Sequence, residues 1–371
     1  MSVREGKSGG TRTEGGNRLA SLDQGRFAAC WCVMLFHASI DVRLVNDLLS
    51  YGFAGVQFFM MLSGYVLARP YLESHPARPF DLRRYALGRI TRIVPPYYVV
   101  VLLAAALSFL GFGHSVNPIP RADLGWHILA HLAFVHTFFA STHLSLVGVL
   151  WSLGLEWQYY VVLPLLLLAF KVRRPLLVFV GTVLLTALTR ALLHAFVETR
   201  GDLANGFFLA RLTEFAAGVL LAALLGGGWS RRALLLVALL LGGSGLLTFA
   251  LGARDREFGI EGAVLILFVL LRLFGPSVAR SRLSRGLQFL GEASYSTYLV
   301  HTLAGKAALT VLAHLSFVAG SPWMLLLLYA TAGQIAGVGF YFAIEKPTTR
   351  WAVLLLGGKR EAVPTPSAHA T

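Results

Sequence analysis

Residues 26–37 read RFAACWCVMLFH, an apolar run with an arginine at one end and a histidine at the other. An ionisable side chain at membrane depth is costly, and where one is kept it usually marks a functional site. On an α-helix eleven positions come close to three full turns, so Arg26 and His37 share one face. The rise between them is about 16 Å, roughly half of the ~30 Å hydrocarbon core. One helix face thereby joins a base inside the membrane to a cation at its edge. That geometry suits chemistry on a substrate that enters from one side.

The rest of the chain has the same character. Of its 371 residues 56% are hydrophobic and only 13% charged, too little charge to cover a soluble protein of this length. Apolar runs of spanning length recur at 24–43, 52–71, 91–112, 146–170, 175–197, 207–227, 232–251, 258–275, 287–312 and 322–344. They predict an all-α polytopic membrane protein of about ten transmembrane helices in a lipid bilayer.

The net charge of +14 reads as membrane topology, with no nucleic-acid partner expected. With a cytoplasmic N-terminus and strict alternation, the inner segments receive Arg69, Arg78, Arg83, Arg84, Arg89 and Arg92. They also receive Lys171, Arg173, Arg174, Arg231, Arg232, Arg280, Arg282, Arg285, Lys346 and Arg350. The outer loops receive only Arg43, Arg121, Arg200, Arg254 and Arg256. Cytoplasmic loops carry such an excess of Lys and Arg, so both termini are expected in the cytoplasm.

Residues 1–20 are Gly-rich and polar, and are expected to form a disordered basic cytoplasmic tail rather than a signal peptide. Residues 353–371 are expected to form a second cytoplasmic tail, leaving 21–352 as one membrane domain. Cys30 and Cys32 lie two positions apart in one apolar run. On a helix they face different ways, which argues against a disulfide and for apolar packing.

One stretch does not fit the alternation. Residues 125–140, GWHILAHLAFVHTFFA, are apolar but short, and are expected to form a reentrant or interfacial helix. His127 and His131 are four apart and face the same way, as a metal pair would. With no third or fourth ligand evident, hydrogen-bonded imidazoles are the preferred reading and no metal is expected.

The polar residues inside the spans form a small set: Asp23, Arg26 and His37 in the first, and Glu156 in the fourth. The sixth holds Arg211 and Glu214, three apart and able to pair. The ninth holds Tyr295, Ser296, Tyr298, His301 and Lys306. These are too many for a passive bundle. Asp23, Ser63, Arg211, Glu214, Tyr298 and His301 are expected to line a polar cavity. Arg89 and Arg92, three apart at the start of the third span, have the fork geometry that suits phosphate oxygens, and equally the charge that sets topology.

Seven blocks in order resemble the membrane-bound acyltransferase family 3, which includes O-acetylases of bacterial surface polysaccharides and macrolide acylases. They are LDQGRFAACWCVMLFHAS with its Arg-(ten residues)-His spacing, GVQFFMMLSGYVL, GRITRIVPPYY with Arg-x-x-Arg, and WSLGLEWQYYVVLPLLL. RLTEFAAGVL, GEASYSTYLVHT and IEKPTTRW follow. The resemblance runs from about Leu22 to Trp351. Gln57 and Trp157 depart from it, each standing where the family often has an acidic residue.

The resemblance implies a multi-pass protein of the bacterial plasma membrane that transfers an acyl group, acetyl by expectation, from acyl-CoA to a hydroxyl. The acceptor class is a sugar, polysaccharide or macrolide, and no permanently bound cofactor is expected. A histidine titrating near neutrality suits proton abstraction from a hydroxyl, which makes His37 the candidate general base. Glu156 and Asp41 are both open as its orienting carboxylate, with Glu156 favoured by the resemblance. Arg26, Arg89 and Arg92 are placed to hold the phosphates of acyl-CoA at the cytoplasmic side. A transporter or flippase would also need many spans and buried charge. Its usual sign, paired Gly/Pro-interrupted helices in two related halves, is missing from the sequence.

The charge asymmetry makes a topology prediction. A cysteine placed at Ser281 should react with an impermeant thiol reagent only from the cytoplasmic side. Labelling from outside would overturn the ten-span orientation.

Overall fold

Apolar sequence in a medium without water must satisfy its backbone internally, and helices do so within one segment. A computed structural model describes residues 19–73, 79–112, 119–171, 174–196, 206–250, 256–312 and 321–355. All regular structure among the described residues is helical. The principal helices are α1 (Ala20–Asp41), α2 (Ala54–Leu72), α3 (Leu82–Phe109), α4 (Leu124–Leu132), α5 (Leu150–Phe170), α6 (Pro175–Phe196) and α7 (Leu212–Gly226). They continue with α8 (Arg231–Ala250), α9 (Arg256–Phe274), α10 (Arg282–Glu292), α11 (Ser294–Leu312), α12 (Pro322–Phe340) and α13 (Lys346–Leu355). The bulk of the expected tails, 1–18 and 356–371, lies outside the described residues, as do Arg78, Arg173, Arg200 and Arg254 of the loop charges.

Among the described residues six segments are long and apolar enough to cross a membrane: Asp47–Leu72, Leu82–Phe109, Leu150–Phe170, Pro175–Leu193, Phe208–Gly226 and Pro322–Trp351. The other four expected spans are helical too, and three of them, α1, α9 and α11, carry more charge or more polar side chains. Charge interrupts α1 at Asp23, Arg26 and Asp41, and α9 at Arg256, Glu257, Glu261 and Arg272. α11 is rich in hydroxyls, whereas α8, after its two opening arginines, is uncharged and leucine-rich.

Two boundaries differ from the sequence reading for local reasons. α3 begins at Leu82, well before residue 91, because the Asp81 side chain caps it, accepting from the Arg84 amide at 3.0 Å. Arg89 and Arg92 therefore sit well inside a helix and not at its entry. The expected ninth span is two helices, α10 and α11, broken at Ala293. The 125–140 stretch yields only the nine-residue α4 and a 3₁₀ turn at His136–Phe138. At about 1.5 Å per residue α4 is too short to span.

α2 is the central helix, packed on α1, α7, α9 and α5. Lipid gives helices no hydrophobic reason to associate, so close contact falls to small residues. A Cβ on Gly64 of α2 would land on the Phe215 carbonyl of α7, and one on Gly218 of α7 would land on the Met61 carbonyl of α2. The two backbones touch there. α11 packs on α12, and α8 on α9, while α1 lies against α10, α11 and α12. Exposed leucines, Leu165 and Leu168 on α5, Leu184 and Leu188 on α6, and Leu240 on α8, make the outward faces.

Gly218→Leu should force α2 and α7 apart. A loss of about 1–3 kcal/mol is the ordinary scale of overpacking. Thermal unfolding of the detergent-solubilised protein would show it as a lowered midpoint, and an unchanged midpoint would contradict the close contact.

Candidate active site

α1, α2, α3, α5, α11 and the end of α10, at Glu292, converge on one pocket with about 800 Å³ of unfilled space, its open mouth included. Three cations line it: Arg26 of α1, and Arg89 and Arg92 of α3. Arg89 and Arg92 are three residues apart and so share a face of α3. The Arg89 guanidinium lies over the Tyr160 ring, 5.9 Å from its centroid, a cation–π contact that aims the fork. Arg26 is held from behind by Asp23 at 3.3 Å. Gln288 of α10 donates to the other oxygen of Asp23 at 3.3 Å.

Deeper along α5 the wall passes from Tyr160 to Glu156 to Ser152. Glu156 and Tyr160 are one helical turn apart, and the Tyr160 hydroxyl donates to the Glu156 carboxylate. Ser63 of α2 donates to the same oxygen, Oε1, at 2.8 Å. On α11 the wall passes from Tyr295 to Tyr298. The Tyr298 hydroxyl lies 2.7 Å from Ser152 Oγ and donates to the Val149 carbonyl at 3.3 Å. About one turn further along α11 stands His301, fully buried, with Nδ1 at 2.7 Å from the Tyr298 carbonyl oxygen. Its Nε2 is 3.2 Å from Nδ1 of His37. The pocket wall ends at Tyr298, and the histidine pair lies beyond it, joined through the Tyr298 main-chain carbonyl.

The sequence-based site divides accordingly. Arg26, Arg89, Arg92, Ser63, Glu156 and Tyr298 line the pocket. Asp23, His37 and His301 do not line it: Asp23 pairs with Arg26, His301 meets the main-chain carbonyl of Tyr298, and His37 meets His301. Arg211 and Glu214 do not line this pocket. They pair with each other at 2.6 Å, both buried, and Arg211 lies under the Trp151 ring at 5.3 Å. The pair belongs to a second charged group with Arg190 of α6 and Glu261 of α9, themselves 2.9 Å apart. Neutralisation from those helices turns it away from the pocket.

Neither carboxylate considered for His37 is bonded to it. Glu156 is engaged by Ser63 and Tyr160, and Asp41 pairs with Lys306 at 3.6 Å. The partners of the His37 ring are the Val33 carbonyl, at 2.9 Å from Nδ1, and His301. Tyr160 had gone unassigned in the sequence. Its signal was the spacing of four from Glu156.

His131 of the short helix and His136 of the turn after it each meet a main-chain carbonyl and stack on each other. His131 Nδ1 lies 2.8 Å from the His127 carbonyl, and its ring stacks on His136 with centroids 4.0 Å apart. His136 Nε2 lies 3.2 Å from the Leu150 carbonyl. Among the described residues no group of three His, Cys, Asp or Glu side chains is placed to hold a metal ion.

The family model described as "Acyltransferase domain" (Acyl_transf_3) matches residues 19–342. The chain belongs to the acyltransferase 3 family. All the pocket residues named above fall within the matched range. Among curated relatives, the exopolysaccharide production protein ExoZ of Rhizobium meliloti is 29% identical over 339 residues, 85% of this chain and 95% of ExoZ. The membrane-bound transacylase BcsY of Komagataeibacter xylinus is 30% identical over 170 residues, 43% of this chain and 39% of BcsY. The peptidoglycan O-acetyltransferase OatA of Listeria monocytogenes is 25% identical over 190 residues, 47% of this chain and 29% of OatA. The aligned part thus spans well under half of two of these relatives and nearly all of the third. No solved structure matches the chain.

The placement of Arg211 is testable. Arg211→Ala leaves buried carboxylates without their partner, and breaking such a pair costs about 3–5 kcal/mol. Thermal unfolding in detergent should register that loss. Loss of turnover at an unchanged unfolding midpoint would instead put Arg211 in the pocket.

Proposed function

We propose that this protein is a multi-pass membrane O-acyltransferase that takes an acyl group, acetyl by preference, from acyl-CoA and places it on a hydroxyl of a polysaccharide or related carbohydrate. The observation that carries this reading is the meeting of Arg26, Arg89 and Arg92 on one pocket, on the same face of α1 as His37. CoA carries several phosphate charges and cannot cross a bilayer. Guanidinium forks bind phosphate through paired charge-assisted hydrogen bonds. The CoA phosphates occupy the arginine end, and the pantetheine arm runs along Tyr160, Glu156 and Tyr298 toward the histidines.

The chemistry needs one proton to move twice. The acceptor hydroxyl gives its proton to His37 as its oxygen bonds to the thioester carbonyl carbon. The carbon–sulfur bond then breaks, and the proton passes from His37 to the departing CoA sulfur. The products are the acylated acceptor and free CoA, with His37 restored. Ser63 and Tyr160 hold the Glu156 carboxylate in place along the path of the arm.

The sided arrangement follows from loop charge. About ten spans, with α1, α8, α9 and α10–α11 joining the six apolar segments, put both termini and the arginine end in the cytoplasm. Charges within α1 and α9 are sheltered by pairing, Arg26 with Asp23 and Glu261 with Arg190. The acceptor reaches His37 from the outer half. The names of ExoZ and OatA, an exopolysaccharide and a peptidoglycan protein, support a carbohydrate acceptor.

Purified protein given labelled acetyl-CoA should release CoA or transfer the label, and His37→Ala should abolish this while expressing and inserting normally. Arg89→Ala or Arg92→Ala should raise the KM for acetyl-CoA. Loss of a charged hydrogen bond is worth about 1.5–3 kcal/mol, roughly 10- to 150-fold. Full turnover by His37→Ala, or arginine variants that move only the acceptor KM, would contradict the reading.

A further inference from the structure

His301 takes no part in the proton transfers above, yet its surroundings fix where its hydrogen sits. Nδ1 faces the Tyr298 carbonyl oxygen at 2.7 Å. A carbonyl only accepts, so neutral His301 carries its hydrogen on Nδ1 and a lone pair on Nε2. That lone pair faces His37 Nδ1 at 3.2 Å. The Val33 carbonyl, a second pure acceptor, faces the same His37 nitrogen at 2.9 Å. Both neighbours therefore call for a hydrogen on His37 Nδ1. A neutral imidazole has one hydrogen, so His37 Nε2 is left as the lone pair able to take a proton.

We infer that His301 is a positioning residue for the base: it holds His37 in the Nδ1–H tautomer and shares the charge that His37 acquires. This rests on the reading of His37 as the base. Val33 also accepts from Nδ1, but a peptide carbonyl cannot take up the proton, whereas an imidazole lone pair can. When the acceptor hydroxyl delivers its proton to Nε2, Nδ1–H becomes a stronger donor, and its bond to His301 strengthens. When the CoA thiolate leaves and removes the Nε2 proton, both rings return to their starting tautomers. No proton is gained or lost over the cycle.

Packing keeps the pair in register. Any Cβ on Gly333 of α12 would come within 2.9 Å of His301 Cβ and 3.3 Å of Met34 Sδ. α12 thus presses His301 toward α1, and the two rings meet with centroids 5.2 Å apart and tilted by 53°.

Two measurements on the full chain test this. Solid-state ¹⁵N NMR of histidine-labelled protein, with the His37 signal assigned by its loss in His37→Ala, should show hydrogen on Nδ1 and none on Nε2. The reverse tautomer would overturn the inference whatever the activity. Kinetics then use acetyl-CoA with two acceptors: water, which needs a base, and hydroxylamine, a nucleophile strong enough to react without one. His301→Leu should lower kcat for acetyl-CoA hydrolysis about 10- to 100-fold, the usual scale for groups that orient a reacting residue, at unchanged KM for acetyl-CoA. Transfer to hydroxylamine should fall far less. His301→Gln, whose side-chain oxygen can accept from His37 Nδ1, should recover most of the hydrolysis. Equal loss with both acceptors, or Gln no better than Leu, would reduce His301 to a packing residue. His37→Ala separates the failures. If it hydrolyses acetyl-CoA like the wild type, the base assignment and this inference fall together. If it is inactive while His301→Leu is fully active, only this inference falls.

Discussion

In the proposed reaction the phosphate-bearing donor cannot enter hydrocarbon, and the base that is to act inside the membrane cannot leave it. The two can meet only through something that spans the distance between them. Here it is one face of α1, where eleven residues bring Arg26 and His37 into line about 16 Å apart. The rest of the bundle serves that alignment. α3 supplies two more guanidiniums beside Arg26, α5 and α11 supply the hydroxyl-lined wall, and beyond that wall α11 carries the imidazole that meets His37. Remove the periodicity of α1 and the remaining polar residues have no common direction.

Polar groups buried in an apolar bundle have to be matched, and the matching separates two clusters that look alike in the sequence. Glu156 is satisfied by Ser63 and Tyr160 and still faces the pocket. Glu214 is paired with Arg211, which lies against the Trp151 ring, within a group completed by Arg190 and Glu261. The first arrangement leaves a carboxylate available to a guest. The second closes charge upon charge and holds α6, α7 and α9 together. Buried ion pairs earn their place by fixing which helices meet more than by net stability. The close approach of α2 and α7 at Gly64 and Gly218 does the same through shape.

Much of this was legible in the sequence because it depends on helical periodicity and composition. The Arg26–His37 face, the arginine pair on α3 and the membership of Ser63, Glu156 and Tyr298 in one cavity all follow from spacing, burial cost and family resemblance. What was not legible depends on how helices rotate against each other. The i, i+3 spacing of Arg211 and Glu214 shows that they can pair, but says nothing of the side from which Arg190 and Glu261 arrive. His-x-x-x-Asp shows that Asp41 lies near His37 in sequence, yet Lys306 from α11 takes that carboxylate. The early start of α3 was readable from Asp81, a good N-cap, but the loop charges around it drew the boundary later. Partnership between His37 and His301 joins residues 264 apart, and no local pattern announces it.

The central claim is that the arginine end of the pocket holds the phosphates of CoA while the thiol end points along α1 toward His37. A cryo-electron microscopy map of the protein with CoA bound tests it most directly. The account predicts phosphate density between Arg26, Arg89 and Arg92, with the pantetheine arm passing Glu156 toward Tyr298 and the histidine pair. CoA density on any other surface, or a pocket filled by lipid with the arginines turned away, would contradict it.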